Sequence, residues 1–406
     1  MQNDTRQDTI VSGKLFGLFC VASYLLSLSY GSTFLLSLLI SSRGGNEHDA
    51  GSVISIAMLS TFVAVILSGH LSDVLGAARS IALFGCLLVV ASLGFALTPG
   101  FGSALLFFGL MLGLGWGVFY TLGPIIVAML VEPTQRAKYF ALLSGSMMTG
   151  IGSGPLLGRA ASLLGYSVTA AFYIAALASL VGVLMFWRLG RVLKQRPNLL
   201  GTAAVSKISW SAAAQVLSSK AVFAIIMVGL GGCVFGGLSS FQTSFAASRS
   251  LDYSLFFLGF MSAAITSRLL IASIVVKRDA YGMSCLLTGL MVVSILMFRF
   301  LVDDSYSYVL AAVILGVGYG LTYSVINGLA ANEAPAGTTS QSLLLFSLAY
   351  FIGVFGFPLL AGKIIVEQGM PALLLSVLAV AVMNWLITVG RLIWRSMTVE
   401  KALQNA

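Results

Sequence analysis

The sequence predicts an all-α membrane protein whose twelve transmembrane helices form two pseudo-symmetric six-helix bundles. Three observations carry that expectation. Hydrophobic residues make up 58% of the 406-residue chain and charged residues only 9%, against about 25% charged in a soluble domain. Mean hydropathy is +1.01, so most of the surface must face lipid. Leu112-Gly-Leu-Gly-Trp-Gly-Val-Phe-Tyr120 returns as Leu315-Gly-Val-Gly-Tyr-Gly-Leu-Thr-Tyr323, and Gly150 and Pro155 return as Gly353 and Pro358. From Tyr120 to Tyr323 the offset is 203 residues, half the chain. A membrane-spanning pattern repeated at half length implies two homologous helical bundles. Third, the longest polar stretch falls between the two copies. It carries Arg188, Arg191, Lys194, Arg196, Lys207 and Lys220 and no acid.

A helix needs about twenty apolar residues to cross ~30 Å of hydrocarbon. Twelve runs qualify, near residues 15–40, 51–70, 80–98, 102–131, 138–162, 167–187, 221–246, 253–276, 282–302, 307–331, 340–363 and 371–393. The expected organisation is therefore a first bundle over 1–187, a basic linker over 188–220 and a second bundle over 221–406. Residues 203–219 read either as a flexible linker or as a short interfacial helix with Ile208 and Trp210 toward lipid.

Lys and Arg concentrate on the cytoplasmic side of membrane proteins. With the amino terminus inside, sixteen of the 22 basic residues face the cytoplasm: Arg6, Lys14, Arg79, Arg136, Lys138, the six of the linker, Lys277, Arg278, Arg391, Arg395 and Lys401. Five face outward: Arg43, Arg159, Arg249, Arg299 and Lys363. Trp187 and Trp394 fall at inner span ends, where amphipathic rings favour the headgroup level. Both termini are expected in the cytoplasm, and the net charge of +9 reads as membrane orientation, not nucleic-acid binding. The polar Met1–Lys14 segment and the long run after it do not look like a signal peptide. Cys20, Cys86, Cys233 and Cys285 lie in separate apolar stretches without metal-ligand spacing and read as small packing residues.

Local motifs now add a resemblance. Gly69-His-Leu-Ser-Asp73-Val-Leu-Gly76-Ala-Ala-Arg79 resembles the G-x-L-a-D-r-x-G-r-k loop of the major facilitator superfamily, with Gly69, Leu71, Asp73 and Gly76 matching and Arg79 the remaining basic residue. Lys277-Arg-Asp279-Ala-Tyr-Gly282 is its degenerate counterpart. Gly150-Ile-Gly-Ser-Gly154-Pro155-Leu-Leu-Gly158-Arg159 resembles the antiporter motif of the drug-efflux branch, G-x3-G-P-x2-G-G, with Arg159 in the last position. Gly109 stands where that branch carries an Arg on its fourth span. The resemblance covers nearly the whole chain. It implies a twelve-span, six-plus-six transporter, in which Asp73 and Arg79 latch one conformation and Gly150, Gly154, Pro155 and Gly158 form a closely packing, bendable span. That span is expected to meet the opposite bundle, at span eight.

Candidate functional residues follow. All thirteen acids fall in termini, loops or span ends, so no intramembrane carboxylate is evident; Asp73, Glu132, Asp252, Asp303 and Asp304 lie near span ends. His70 could switch charge near neutral pH or simply sit solvated at a helix end. Arg268 falls within the eighth run, about nine residues before its end, ~13 Å deep at 1.5 Å per residue. An arginine so placed should face the bundle interior and find a partner: a solute carboxylate or phosphate, or protein carbonyls and acids. By the resemblance, spans one, four, seven and ten line the pathway. That makes Tyr30, Trp116, Tyr120, Gln242, Tyr319, Tyr323 and Asn327, together with Arg268, the expected solute contacts; Tyr24, Thr33, Thr243 and Thr322 add polar groups. Each also reads as ordinary packing.

The glycines of Gly113-x-Gly115-x-Gly117 are not a phosphate loop, because no Lys-Ser/Thr follows; no GxxxxGK[ST] is present. No nucleophile-base arrangement or metal cluster appears, so neither an enzyme nor a cofactor is expected. The leading reading is a monomeric, cofactor-free antiporter of a bacterial inner membrane that exports a small organic, amphipathic or anionic solute, driven by a proton gradient. The alternative is an ion-coupled symporter importing a small organic acid or metal chelate; a transporter-like sensor is a third.

Overall fold

The computed structural model describes residues 2–131, 135–195, 209–275 and 278–404. Glu132, Arg196, Lys207, Ile208 and Lys277 lie outside the described residues. Twelve helices there are long and apolar enough to cross a membrane: Gly13–Ser41, Glu47–Leu75, Ala77–Leu97, Ser103–Leu130, Lys138–Leu163, Thr169–Gln195, Ala221–Ser239, Tyr253–Leu270, Ala280–Phe300, Ser305–Asn332, Thr339–Gln368 and Met370–Met397. They are spans one to twelve below. The chain divides into two compact units, Met1–Lys207 and Ile208–Ala406.

Acids at the span ends serve as helix caps. Asn46 and Asp49 form a capping box that starts span two, and Asp304 and Ser307 form another that starts span ten. Asp252 accepts from the Ser254 backbone at the start of span eight, and Asp279 from Gly282 at the start of span nine. Each satisfies amides that the first turn of a helix leaves open.

Several boundaries differ from the sequence reading. Span two runs on to Leu75, so Gly69 and Asp73 lie on its last helical turns and not in a loop; the whole connection to span three is Gly76, whose φ of 82° favours glycine. Span six continues past Trp187 to Gln195. Arg188, Arg191 and Lys194 extend it because long basic stems can stay helical and still reach water. Span seven breaks after Ser239, and residues Gln242–Ser248 form a separate short helix. Span eight stops at Leu270, not 276. A helix Trp210–Leu217 lies within the expected linker; Ala213 and Val216 are buried, and Val216 packs with Ala221, Ile225 and Phe346 of the second unit, while Trp210 is exposed.

The repeat holds at the level of contacts within each unit. A Cβ on Gly113 of span four would stand 2.2 Å from the Ala57 carbonyl oxygen of span two; one on Gly316 of span ten would stand 2.3 Å from that of Phe260 on span eight. A Cβ on Gly115 would stand 2.8 Å from the Phe84 carbonyl oxygen of span three, and one on Gly318 2.9 Å from that of Leu287 on span nine. Partner and glycine shift by the same 203 residues. Only glycine permits this approach, and close backbones replace the hydrophobic drive that lipid removes.

Candidate functional site

In the second unit the same glycine rule sets up the candidate site. A Cβ on Gly320 would lie 3.0 Å from the Ala264 Cα, so spans eight and ten nearly touch there. Arg268, on the last turn of span eight, reaches across and donates from Nε to the Gly320 carbonyl at 2.8 Å. Its position near a helix carboxyl end, where the dipole favours cations, differs from the deeper site expected from the longer span. The guanidinium carbon stands 5.4 Å from the centre of the Tyr323 ring, within the range of a cation–π contact.

Tyr323 packs edge-on to Tyr350 at 5.5 Å and to Phe346 at 5.3 Å. Tyr319 lies one turn earlier on span ten, stacks on Phe235 at 5.0 Å and donates its hydroxyl to Tyr350 at 3.2 Å. Arg268, Tyr319, Tyr323 and Tyr350 therefore form one cationic-aromatic cluster on spans eight, ten and eleven. Tyr350 was missing from the sequence reading, because span eleven lay outside the helices expected to line the pathway. Asn327 is half-buried one turn beyond Tyr323.

Gln242 belongs to a different set of contacts. It is buried on the short helix after the span-seven break, where its Oε1 accepts from the Tyr308 hydroxyl at 2.7 Å.

In the first unit, Tyr30 and Trp116 are both buried and stack on each other, 4.6 Å apart and 17° from parallel. Tyr120 leans on Trp116 at 6.1 Å and is half-buried. The three aromatic residues thus meet, with Tyr120 the most open. Gly150, Gly154 and Gly158 pack on span one, against the Tyr24 carbonyl, the Gly31 backbone and the Leu35 side chain. Within the first unit, span one thus offers backbone that only this glycine face can approach. Pro155 lies within the helix of span five. Of the loop motif, Gly69 is buried, Asp73 is exposed and the Arg79 stem lies over Gly190 of span six.

A charged cluster that sequence reasoning missed joins spans nine, ten and twelve of the second unit. Glu333, just past span ten, and Arg391 on span twelve are both nine-tenths buried and paired through both carboxylate oxygens, one at 2.6 Å. The Tyr281 hydroxyl donates to the same carboxylate at 2.5 Å, and the Arg391 guanidinium lies over the Tyr281 and Phe223 rings at 5.0 and 5.4 Å. Arg395 pairs with Asp279 and also covers Tyr281. Arg391 had read as one more basic residue near the tail. The available signal was Glu333 itself, an acid on a side otherwise dominated by Lys and Arg.

A family model described as Major Facilitator Superfamily matches residues 17–358. The chain matches no curated protein sequence. Among solved structures, the nucleoside transporter NupG is similar with a TM-score of 0.72 at 16% identity, covering 93% of this chain and 98% of that one. A variant of the peptide transporter POT gives 0.70 at 17% identity, with 93% and 94% covered. The human organic anion transporter MFSD10 gives 0.67 at 15% identity, with 93% and 99% covered. Likeness at such identities is likeness of fold.

Proposed function

The chain belongs to the major facilitator superfamily, and from that premise we propose that it is an efflux antiporter for small organic anions, amphipathic ones included, driven by a proton gradient. Twelve apolar spans and family membership make it an integral membrane transporter and not an enzyme. The observation that carries the finer reading is Arg268. Its Nε is held on the Gly320 carbonyl and its guanidinium lies over Tyr323, so the cation is oriented beside aromatic rings and a tyrosine hydroxyl pair. A fixed guanidinium suits a carboxylate or phosphate, and the rings suit an apolar body. Tyr120, Tyr323 and Asn327, half-buried, are the further contacts this reading favours. Tyr30 and Trp116 support Tyr120 through their stacked rings, and Gln242 holds the Tyr308 hydroxyl. The glycine-proline character of span five supports the export direction, and the excess of basic residues on one side supports cytoplasmic termini.

Uptake into proteoliposomes under an imposed pH gradient tests this directly. Arg268→Lys should reduce transport of anionic solutes by about tenfold or more, the scale of one charge-assisted hydrogen bond, and spare neutral ones. Equal loss for both classes would assign Arg268 to structure alone. Accumulation that follows the proton gradient in the same direction, instead of opposing it, would make the protein a symporter.

A further inference from the structure

The second bundle holds a small, mostly apolar cavity with the Thr322 hydroxyl in its wall, where the first bundle is filled with hydrocarbon. Met227 and Gly231 of span seven, Met291 of span nine, Tyr319 and Thr322 of span ten and Tyr350 of span eleven line it, and it leaves about 10 Å³ for the centre of a water molecule. That is close to the room one water needs and far too little for an organic solute. Thr322 is 4% exposed, and its hydroxyl has no hydrogen-bond partner among the described residues. Asn384 of span twelve is 1% exposed, and both its amide oxygen and its amide nitrogen are likewise without one. The two sites adjoin at Gly231: the position of a Cβ on this lining residue is 4.0 Å from the Asn384 Nδ2.

The internal repeat shows that this is a departure from the shared plan. The 203-residue offset carries Phe119 onto Thr322. Spans one and seven align two residues further on, because Gly31 faces the Ile151 carbonyl as Gly236 faces that of Val354, and Gly150 faces the Tyr24 carbonyl as Gly353 faces that of Gly229. That offset of 205 carries Leu26 onto Gly231. Phe119 and Leu26 are completely buried, and Leu26 packs over Gly182 and Gly85. The first bundle thus has a phenyl ring and a leucyl side chain where the second has a hydroxyl and a bare glycine. Leaving three polar atoms unpaired in a membrane protein core is costly, and a bridging water removes that cost.

We propose that this cavity binds one water molecule, which joins the Thr322 hydroxyl to the Asn384 amide across Gly231 and ties span ten to span twelve behind the Tyr319–Tyr350 pair. The water belongs to the second bundle alone and is independent of which solute the protein moves or in which direction.

The test is a double-mutant cycle on the apparent midpoint of thermal unfolding of the purified full chain, in NaCl and in choline chloride. Thr322→Val and Asn384→Leu should each lower the midpoint, and the double variant should be no less stable than the worse single one, since either change already breaks the bridge. Gly231→Ala fits sterically at 4.0 Å from the amide but takes up the cavity, and should lower the midpoint comparably. The proposal is overturned if the single variants raise the midpoint or leave it unchanged, as removal of never-satisfied groups would, or if their effects add. A stabilisation specific to sodium that disappears in Thr322→Val would overturn it too, assigning the cavity to a cation. Should a variant fail to fold, an experimental map of the wild-type protein decides: density within hydrogen-bond distance of the Thr322 hydroxyl supports the site, and its absence at water-revealing resolution rejects it.

Discussion

Gly31 on span one lies so close to the Ile151 carbonyl of span five that a Cβ at residue 31 would stand 2.1 Å from the oxygen. Ile151 is four residues before Pro155, whose ring nitrogen has no hydrogen to give it. The oxygen freed by the proline therefore faces the α-hydrogens of a glycine, a weak hydrogen bond that suits helices packed at contact distance. Span eleven repeats the device: the Val354 carbonyl, four residues before Pro358, faces Gly236, where a Cβ would stand 2.3 Å away. The glycine-proline pattern of spans five and eleven is thus answered inside each bundle, by spans one and seven.

Gly31→Ala and Gly236→Ala should each force the paired spans apart and lower the unfolding midpoint. Gly17→Ala and Gly328→Ala, where a Cβ would meet nothing within 4 Å, provide the controls. They should be neutral or slightly stabilising, because alanine favours a helix over glycine by about 1 kcal/mol. If all four variants behave alike, the close approach contributes nothing.

The Glu333–Arg391 pair should be the most sensitive polar contact in the second bundle. Glu333→Gln leaves a buried guanidinium without its counter-charge, a loss of about 3–5 kcal/mol for breaking such a pair. Tyr281→Phe removes a single donor to the carboxylate and should cost about 1.5–3 kcal/mol. Replacing both charged partners with leucine should be milder than Glu333→Gln alone. Chemical unfolding of the four proteins measures the ordering, and a double replacement worse than the single one contradicts it.

How much of this was legible in the sequence depends on the range of the interaction. The twelve spans and the two halves followed from apolar runs and the 203-residue repeat, since every span must satisfy its backbone by helix formation in lipid. Arg268 was conspicuous as a charge within an apolar run, and Tyr323 followed from the repeat. The break after Ser239 was not legible: residues 221–246 read as one apolar run, with no proline at the break. The Glu333–Arg391 pair joins residues 58 positions apart, and only the packing of span twelve against spans nine and seven brings them together. The glycines of span five were read as a packing face, and their approach to span one of the same unit was not foreseen. Spacing shows that a helix can be approached closely and does not show by what.

Acid should loosen the start of span ten. Hydrogen bonds from the Ser307 backbone and hydroxyl hold the Asp304 carboxyl below the usual value of 3.8. A lowered carboxylate contributes stability that is fully present above its unfolded value and lost as pH falls through its folded one. The cap should therefore persist where a free aspartate is already protonating and fail only at lower pH. Amide exchange at Ser307, compared between wild type and Asp304→Asn, reads this: exchange in the variant should already be fast at neutral pH. Equal protection of the two proteins at pH 7 would show that the box does not hold the helix end.

The final prediction separates Arg268 positioning from packing in general. Gly320→Ala puts a methyl group 3.0 Å from the Ala264 Cα and 3.1 Å from its Cβ, which displaces span ten from span eight by a few tenths of an ångström. The Gly320 carbonyl moves with it, and the Arg268 Nε loses its 2.8 Å anchor. Gly117 is the 203-residue counterpart on span four, where a Cβ would stand 2.7 Å from the Ala64 Cβ; Gly117→Ala disturbs the first bundle without touching Arg268. Both variants should lose some stability. Only Gly320→Ala should lower the ratio of anionic to neutral solute transport, because only there does the backbone that orients the guanidinium shift. A ratio that falls equally in both variants would mean that solute preference follows bundle packing and not the placement of this arginine.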